Sequence, residues 1–233
     1  MNRLEGRVAI VTGSGRGLGR AIAKRFAAEG CAIGVASLTP ENVQSTVDEI
    51  NEAGGKAICV PCDVTNLNLM PEVVKAVADE FGTIDILVNN AMEFSSVVGT
   101  VNELTKAQVE RQMVGGPLAA LTFMQACYPY LARRGGRVIN MTSSAGVMGA
   151  PGLAAYAMAK EAMRALSRTA AREWGNKGIT INCICPIAAT DSFSQAKDAE
   201  ELTAVVETAL GRVGSPEEDI APVALFLARA CSH

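Results

Sequence analysis

The sequence predicts an α/β protein built on a doubly wound parallel sheet with helices on both faces. Short apolar runs, of the kind that are buried inside parallel sheets, alternate with helical stretches along most of the chain. A glycine-rich turn separates the first apolar run from the first helix. The chain has 233 residues, of which 49% are hydrophobic and 19% charged, which suffices for one large core. We therefore expect a single domain over residues 1–233.

The predicted strands are short and the helices between them bury one face. The first strand covers residues 7–12, a β-branched apolar run. Leu18, Ile22 and Phe26 then recur at every fourth residue, which predicts a helix. Further strands are expected at about residues 32–36, 57–61, 84–89, 136–142 and 178–185.

Proline marks two helix starts and one interruption. Pro40 follows Thr39 at a first helical position, and residues 215–218, Ser-Pro-Glu-Glu, combine a proline start with a capping box. The segment Gly115-Gly116-Pro117 lies within a helical stretch. Because proline removes a hydrogen-bond donor and glycine adds chain freedom, we expect this segment to interrupt the helix.

Charge and hydropathy exclude several classes of partner. The formal net charge is -3 and the basic residues are scattered, so we expect no nucleic acid and no anionic membrane partner. Residues 1–7 lack an apolar signal region, and no apolar run is long enough to span a bilayer. These features favour a cytoplasmic protein.

The cysteines and the histidine narrow the chemistry. Cys59 and Cys62 have a redox spacing, and Cys183 and Cys185 form a second close pair, but both pairs lie in or beside strand-like runs. We interpret them as reduced, buried residues and expect no metal site. The only histidine is His233, which argues against histidine-based catalysis.

The glycine turn covers residues 13–19, Gly-Ser-Gly-Arg-Gly-Leu-Gly. Glycine lets the main chain approach a pyrophosphate, and the N-terminus of the next helix supplies unpaired N–H groups and a favourable dipole. A predicted strand precedes the turn and a predicted helix follows it, which is the context that a dinucleotide site requires.

Tyr156 and Lys160 should lie one turn apart on the same face of a helix over residues 152–174. A free tyrosine titrates near ~10 and a free lysine near ~10.4. A cation held beside Tyr156 favours its phenolate and so lowers its pKa. Ser143 follows the apolar run 137–141 and could donate a hydrogen bond to a substrate oxygen. The alternative is that Tyr156 and Lys160 are an ordinary surface pair.

Taken together, these residues resemble the short-chain dehydrogenase/reductase family in its compact single-domain form, including 3-oxoacyl-carrier-protein reductases and related ketone/alcohol oxidoreductases. The resemblance extends from Arg7 to about Arg229 and rests on Gly13, Gly17, Gly19, Asp63, Asn89-Asn90-Ala91, Ser143, Tyr156 and Lys160 in this order. It implies a Rossmann-like sheet and a nicotinamide cofactor.

The resemblance also implies a role for each residue. Tyr156 exchanges a proton with the substrate oxygen, Ser143 orients that oxygen, and Lys160 holds the nicotinamide ribose and lowers the pKa of Tyr156. In the glycine turn, the residues that line the cofactor phosphates are Gly13, Ser14, Arg16, Gly17, Leu18 and Gly19. Asp63 and Val64, after the third strand, approach the adenine. The nicotinamide half is bordered by Asn90, Ile187 and Thr190. For Asn89 we favour sheet packing.

Cofactor preference is predicted from the end of the second strand. Ser37-Leu38-Thr39 contains no carboxylate to bind the ribose hydroxyls of NAD, and Arg16 could meet a 2'-phosphate. We therefore favour NADP (NADPH), although NAD stays possible because the arginine common after this strand in NADP enzymes is Leu38 here.

The chain departs from the family pattern at four places. Met92 replaces a glycine, and Gly116 stands where the family has a catalytic asparagine that helps to hold a relay water. Pro186-Ile187 replaces Pro-Gly, and the sequence ends at His233 without the usual last strand. The third departure makes residues 187–190 the weakest correspondence.

The leading hypothesis is an NADP-dependent oxidoreductase that interconverts a ketone and a secondary alcohol. An apolar or aromatic substrate is expected from the predicted cleft residues Met92, Phe94, Val147, Met148, Leu153 and Phe193. The alternatives are a 3-oxoacyl-thioester reductase and a cofactor-binding or scaffold protein with little catalysis.

The helices over 117–134 and 152–174 carry more apolar residues than one sheet-facing stripe requires. A second subunit would bury this surface, so we predict a homodimer, and a homotetramer is less secure because the last strand is missing. Those residues are Ala119, Ala120, Phe123, Met124, Ala154, Ala155, Ala162 and Ala165.

Overall fold

The computed structural model describes residues 2–93, 98–188 and 211–229. Within these ranges, six parallel strands form one sheet in the order β3-β2-β1-β4-β5-β6. The strands are β1 Val8–Thr12, β2 Ala32–Ala36, β3 Lys56–Cys59, β4 Ile86–Asn89, β5 Arg137–Met141 and β6 Thr180–Ile184. This is the predicted doubly wound, Rossmann-like α/β fold.

Eight α-helices are described. They are α1 Gly17–Ala27, α2 Pro40–Glu52, α3 Leu69–Phe81, α4 Lys106–Met113, α5 Ala119–Arg134, α6 Ser144–Met148, α7 Ala154–Trp174 and α8 Ala221–Ala228. Among the described residues, none of the helices has both the length and the apolar character needed to cross a bilayer.

Alternation along β1 builds a core on each face of the sheet. All five residues of β1 are buried. Ala9 and Val11 pack with residues of α1, α2 and α8, whereas Val8 and Ile10 pack with residues of α3, α5 and α7. Successive side chains of a strand point to opposite faces, so one short apolar run supplies both cores.

The expected interruption at Gly115-Gly116-Pro117 is a change of helix type, and the helical backbone continues through it. Residues Val114–Leu118 form a π-helical segment that joins α4 directly to α5, and the two glycines and Pro117 are buried. A π-helical turn inside a helix is one of the recognised ways to accommodate a proline and to widen the backbone at a functional site.

The apolar residues proposed for a subunit interface are mostly part of the chain's own core. Five of the eight are buried within the chain: Ala119, Ala120, Phe123, Met124 and Ala155. Ala154 and Ala162 are half-buried and Ala165 is exposed. The surplus of surface apolar residues was therefore overestimated, because a helix packed on the sheet and beside a second helix buries more than one stripe. Leu118 and Met158 are the large apolar side chains exposed on these segments, at 39% and 52%.

The sheet order places the site. β1 pairs with β2 on one side and with β4 on the other, so the chain crosses over between β3 and β4. Loops at the carboxyl ends of β1 and β4 therefore diverge and leave a crevice, which is where open α/β sheets bind ligands.

Candidate active site

Helix α7 brings Tyr156 and Lys160 together. The Lys160 Nζ atom lies 5.5 Å from the centre of the Tyr156 ring, as expected for residues four apart on one helical face. Only 3% of Lys160 is exposed, whereas Tyr156 is half-buried. The two residues are therefore not an ordinary surface pair.

Lys160 is tied to the end of β5. Its Nζ atom donates a hydrogen bond of 2.7 Å to the main-chain carbonyl oxygen of Met141, the last residue of that strand. Burial disfavours the charged ammonium and lowers the pKa of Lys160 to about 8. The pKa of this amine therefore lies close to neutral pH, where the amine can both gain and lose a proton.

Tyr156 has a higher pKa than expected. Burial disfavours the phenolate and raises the pKa of Tyr156 above its ordinary value, and a hydrogen bond from Ser143 offsets this in part. The prediction that Lys160 gives Tyr156 a lowered pKa is wrong for this structure. Desolvation is the larger effect, and the ammonium is directed at the Met141 carbonyl oxygen.

Ser143 stands at the start of the short helix α6, two residues after β5. As the residue that caps α6, it accepts a hydrogen bond of 3.2 Å from the Ala145 amide on its Oγ atom. Its hydroxyl hydrogen stays available for the contact with Tyr156. The three predicted catalytic side chains, Ser143, Tyr156 and Lys160, therefore converge beside the carboxyl end of β5.

Sequence reasoning missed Arg164, which fixes the main chain of Ser143. The Arg164 Nη2 atom donates a hydrogen bond of 3.2 Å to the Ser143 carbonyl oxygen, and its Nε atom donates one of 3.1 Å to Glu161. Arg164 continues the four-residue spacing that begins at Tyr156 and passes through Lys160. That spacing was the signal in the sequence that could have identified it.

A chain of buried polar groups links β4, β5 and α7. The Asn89 Nδ2 atom donates to Asn140 at 2.8 Å, and the Asn140 Nδ2 atom donates to the Ser167 hydroxyl at 2.8 Å. All three residues are buried, so each bond satisfies a group that water cannot reach. The structure agrees with sheet packing for Asn89. Asn140 was missed by the sequence reasoning, although a polar residue inside an apolar run, as at residues 137–141, could have indicated a buried hydrogen bond.

The glycine turn is held by the loop that follows β4. The Asn90 Nδ2 atom donates to the carbonyl oxygens of Thr12 and Gly13 at 2.9 and 3.2 Å. The Thr12 hydroxyl accepts hydrogen bonds from the amides of Asn90 and Ala91 at 2.9 and 3.0 Å. Thr12 was also missed, although a polar residue at the last position of a buried strand is a recognisable signal.

The turn leaves no room for side chains at two of its glycines. Gly13 has a φ of +64°, in the left-handed region. A Cβ atom on Gly19 would lie 2.6 Å from the Asn90 Nδ2 atom and still closer to the Gly13 carbonyl oxygen. The main chain can therefore approach a ligand closely at the N-terminus of α1, so the turn fits a pyrophosphate.

The other residues of the turn have different roles. Ser14 is fully buried, and its hydroxyl donates to the Val11 carbonyl oxygen at 2.6 Å and accepts from the Ala36 amide at 3.1 Å. Its own amide donates to the Ala36 carbonyl oxygen at 3.2 Å. Ser14 therefore supports the turn from inside. Arg16 is exposed immediately before Gly17, where α1 begins, and the half-buried Leu18 follows.

The carboxyl ends of β2 and β3 lie together. The Ser37 carbonyl oxygen accepts a hydrogen bond of 2.8 Å from the Cys62 amide. Ser37 is half-buried and Leu38 is 66% exposed. Asp63 accepts bonds of 2.8 and 2.7 Å from the amide and hydroxyl of Thr65, which shapes the loop that carries the half-buried Val64.

Several predicted cleft residues, and the predicted cofactor residue Ile187, are wholly or partly exposed. Val147 and Met148 are 68% and 72% exposed, Ile187 is 40% exposed, and Leu153 is half-buried. The Gly99 amide donates to the Gly152 carbonyl oxygen at 2.8 Å, which brings the segment after residue 97 beside Leu153. Phe94, Thr190 and Phe193 lie outside the described residues.

The paired cysteines are free thiols. Cys59 and Cys183 are half-buried, Cys62 is buried and Cys185 is exposed, so the expectation of buried cysteines is wrong for Cys185. Burial raises the pKa of Cys62 to about 11, which disfavours a reactive thiolate. In the part of the chain that the structure describes, no three His, Cys, Asp or Glu residues group as metal ligands do.

Comparison with known proteins agrees with this geometry. A family described as short chain dehydrogenase matches residues 7–202. A 12alpha-hydroxysteroid dehydrogenase from Clostridium sp. is 37% identical over 241 residues, which span 97% of this chain and 91% of that protein. A 3-oxoacyl-[acyl-carrier-protein] reductase, FabG, from Thermotoga maritima is 33% identical over 230 residues, which span 97% of this chain and 92% of that protein.

The fold is also similar to that of a solved structure. A dehydrogenase/reductase from Sinorhizobium meliloti 1021 superposes with a TM-score of 0.89 at 32% identity, over 97% of this chain and 89% of that one. The chain therefore belongs to the short-chain dehydrogenase/reductase family, whose members are oxidoreductases that act on CH–OH groups.

Proposed function

We propose that the protein is an NADP-dependent oxidoreductase that interconverts a ketone and a secondary alcohol, with residues 1–233 forming one catalytic domain. The observation that carries the proposal is the convergence of Ser143, Tyr156 and Lys160 at the edge of the sheet where the glycine turn opens. A cytoplasmic location stays a prediction from the sequence.

The residues divide the work at the substrate oxygen. Tyr156 donates its phenolic proton to the carbonyl oxygen during reduction and accepts it back during oxidation. Ser143 donates a hydrogen bond to the same oxygen and stabilises the negative charge that develops there. Lys160, whose Nζ atom lies 5.5 Å from the centre of the Tyr156 ring, would hold the nicotinamide ribose. A bound nicotinamide supplies the hydride for the carbon.

The preference for NADP rests on the end of β2. Ser37 and Leu38 offer no carboxylate to the adenosine ribose, and Arg16 is exposed at the start of α1. A 2'-phosphate would meet no fixed negative charge from Ser37 or Leu38, and Arg16 could pair with it. Gly13, Gly17 and Gly19 would hold the pyrophosphate, Asp63 and Val64 the adenine, and Asn90, Ile187 and Thr190 the nicotinamide half.

The substrate class is apolar. Val98, Val147 and Met148 are exposed apolar side chains, and Val147 and Met148 lie on α6, the short helix that Ser143 caps. Exposed apolar surface beside polar catalytic groups favours a large apolar or aromatic carbonyl compound or the matching alcohol. The name of the relative from Clostridium sp. supports this class, since it is a hydroxysteroid dehydrogenase. The Thermotoga maritima relative supports a 3-oxoacyl thioester as a second candidate.

A panel assay tests the proposal. NADPH oxidation should be followed with apolar cyclic and aromatic ketones, steroid ketones and 3-oxoacyl thioesters. We expect turnover of at least one apolar ketone and a higher kcat/KM for it than for the thioesters. NADPH binding without turnover across the whole panel would instead support a cofactor-binding or scaffold protein.

We also propose a homodimer formed through α5 and α7, with a homotetramer as the alternative. Leu118 and Met158 are exposed apolar side chains at the starts of these helical regions, and Ala165 is exposed farther along α7. A second copy would remove this surface from water.

A further inference from the structure

The loop that follows β4 packs against the two glycines of the π-helical segment. A Cβ atom on Gly116 would lie 2.8 Å from the Met92 Sδ atom and 3.0 Å from its Cε atom. A Cβ atom on Gly115 would lie 2.7 Å from the Cβ atom of Glu93. The end of the Met92 side chain therefore occupies the space that a side chain at position 116 would need.

This loop is anchored on both sides of Met92. The Gln112 Nε2 atom donates a hydrogen bond of 2.9 Å to the Glu93 carbonyl oxygen, and the Glu93 carboxylate lies 3.6 Å from the Arg111 guanidinium. On the other side, the Ala91 amide is bound to the Thr12 hydroxyl at the glycine turn. Both main-chain neighbours of Met92 are thus held by contacts to other elements.

Met92 lies between the two halves of the site. The neighbouring Ala91 amide donates to the Thr12 hydroxyl, just before the glycine turn, and the Met92 thioether lies beside Gly116. A Cβ atom added to Gly116 would also lie 3.7 Å from the Cβ atom of Ala159, which immediately precedes Lys160. Met92 itself is half-buried.

We propose that Met92 is a specificity-determining residue of the crevice and that Gly116 acts with it as one unit, by leaving the thioether its place. The thioether gives the wall between the glycine turn and α7 an apolar surface, where the nicotinamide end of the cofactor and an apolar substrate would bind. A side chain at position 116 displaces the thioether toward the crevice. The catalytic meaning of this pair rests on the proposed function.

The displacement costs little stability. The atoms in the way are the far end of a flexible methionine, which can change rotamer. The neighbouring Gly115 differs, because its obstacle is a Cβ atom close to the main chain of Glu93. Gly116→Ala should therefore alter ligand binding more than folding, whereas Gly115→Ala should destabilise the protein.

A double-mutant cycle tests the pair. Gly116→Ala and Met92→Ala are made singly and together, with Met92→Leu as the variant of similar volume. Gly175→Ala is the matched control, because that residue also has helical backbone angles and nothing lies within 4 Å of its added Cβ atom. The dissociation constant of NADPH, the Tm of the free protein, and kcat/KM for a ketone found in the panel are measured for each.

We expect Gly116→Ala to weaken NADPH binding by about fivefold with Met92 present and by less than about twofold with Met92→Ala. The Tm should change little for Gly116→Ala, Met92→Leu should alter NADPH binding less than Met92→Ala does, and Gly175→Ala should be neutral in both backgrounds.

Two results would overturn the proposal. The first is an equal effect of Gly116→Ala in both backgrounds, which would show that the two residues do not interact. The second is a coupling seen in Tm but not in NADPH affinity, which would reduce Met92 to a packing residue. A protein that binds NADPH and shows the coupling but reduces no ketone would contradict the proposed reaction alone.

Discussion

The Lys160 Nζ atom donates a hydrogen bond of 2.7 Å to the main-chain carbonyl oxygen of Met141. The bond fixes the catalytic face of α7 to the last residue of β5, and it places an almost fully buried amine one helical turn from Tyr156. The position of the amine is thus set by the fold before any ligand binds.

Burial of this amine predicts a pH dependence of stability. The pKa of Lys160 falls from its ordinary 10.5 to about 8 in the folded protein. Between these values the unfolded chain binds more protons, so the contribution of Lys160 to stability rises with pH across this window, by on the order of 3 kcal/mol. Denaturant unfolding of wild type and Lys160→Met at pH 7.5 and pH 10 should show the wild type gaining stability relative to the variant.

The exposed Lys177→Met variant is the control, since its difference from the wild type should not change with pH. If Lys160→Met also kept a constant difference, the lowered pKa of Lys160 would be contradicted.

Gly19→Ala tests the glycine turn. The new Cβ atom would lie 2.6 Å from the Asn90 Nδ2 atom and closer still to the Gly13 carbonyl oxygen, so the turn must move. We expect NADPH affinity to fall by at least about tenfold. Fluorescence titration with NADPH measures this, with Gly175→Ala as the unhindered control. Unchanged affinity in Gly19→Ala would show that the cofactor does not use this turn.

Ser37→Asp tests the cofactor preference. A carboxylate at the end of β2 would repel a 2'-phosphate and could bind ribose hydroxyls, so kcat/KM should shift toward NAD by about tenfold or more. Ser37→Asn introduces a side chain of the same size as aspartate but without the charge, so it should leave the cofactor preference near that of the wild type. An unchanged ratio in Ser37→Asp would count against the placement of the adenosine ribose at β2.

Sedimentation equilibrium at micromolar protein tests the assembly. We expect a homodimer that Met158→Lys weakens, because a charge would replace an exposed apolar side chain on α7. Arg168 is exposed on the same helix, and Arg168→Lys preserves its charge, so this control should leave the dimer intact. A monomeric wild type would contradict the pairing of α5 and α7, and a stable tetramer would show a second interface.

Local sequence patterns were sufficient for the parts of the site that depend on near neighbours. The apolar run at β1, the glycines at the start of α1, and the four-residue spacing of Tyr156 and Lys160 each determine geometry within one or two elements. Their positions in the structure follow from strand alternation and helical periodicity.

Long-range contacts were beyond the reach of those patterns. The bond from Arg164 to the Ser143 carbonyl oxygen joins residues 21 apart, and the bonds from Asn90 to Thr12 and Gly13 span 78 and 77 residues. The pKa of Tyr156 was predicted with the wrong sign because spacing showed the nearby cation but not the burial of the phenol. Similarly, apolar residues of α5 were assigned to a surface that the chain's own core covers.

The most direct test of the proposed chemistry is reduction of an apolar ketone by NADPH in Tyr156→Phe. The variant keeps the ring and removes the proton that the carbonyl oxygen should receive. We expect kcat to fall by at least about 100-fold while the dissociation constant of NADPH stays within about twofold of wild type. Tyr128→Phe, a half-buried tyrosine elsewhere in the chain, should keep wild-type kcat. Near-normal turnover in Tyr156→Phe would contradict the assignment of Tyr156 as the proton donor.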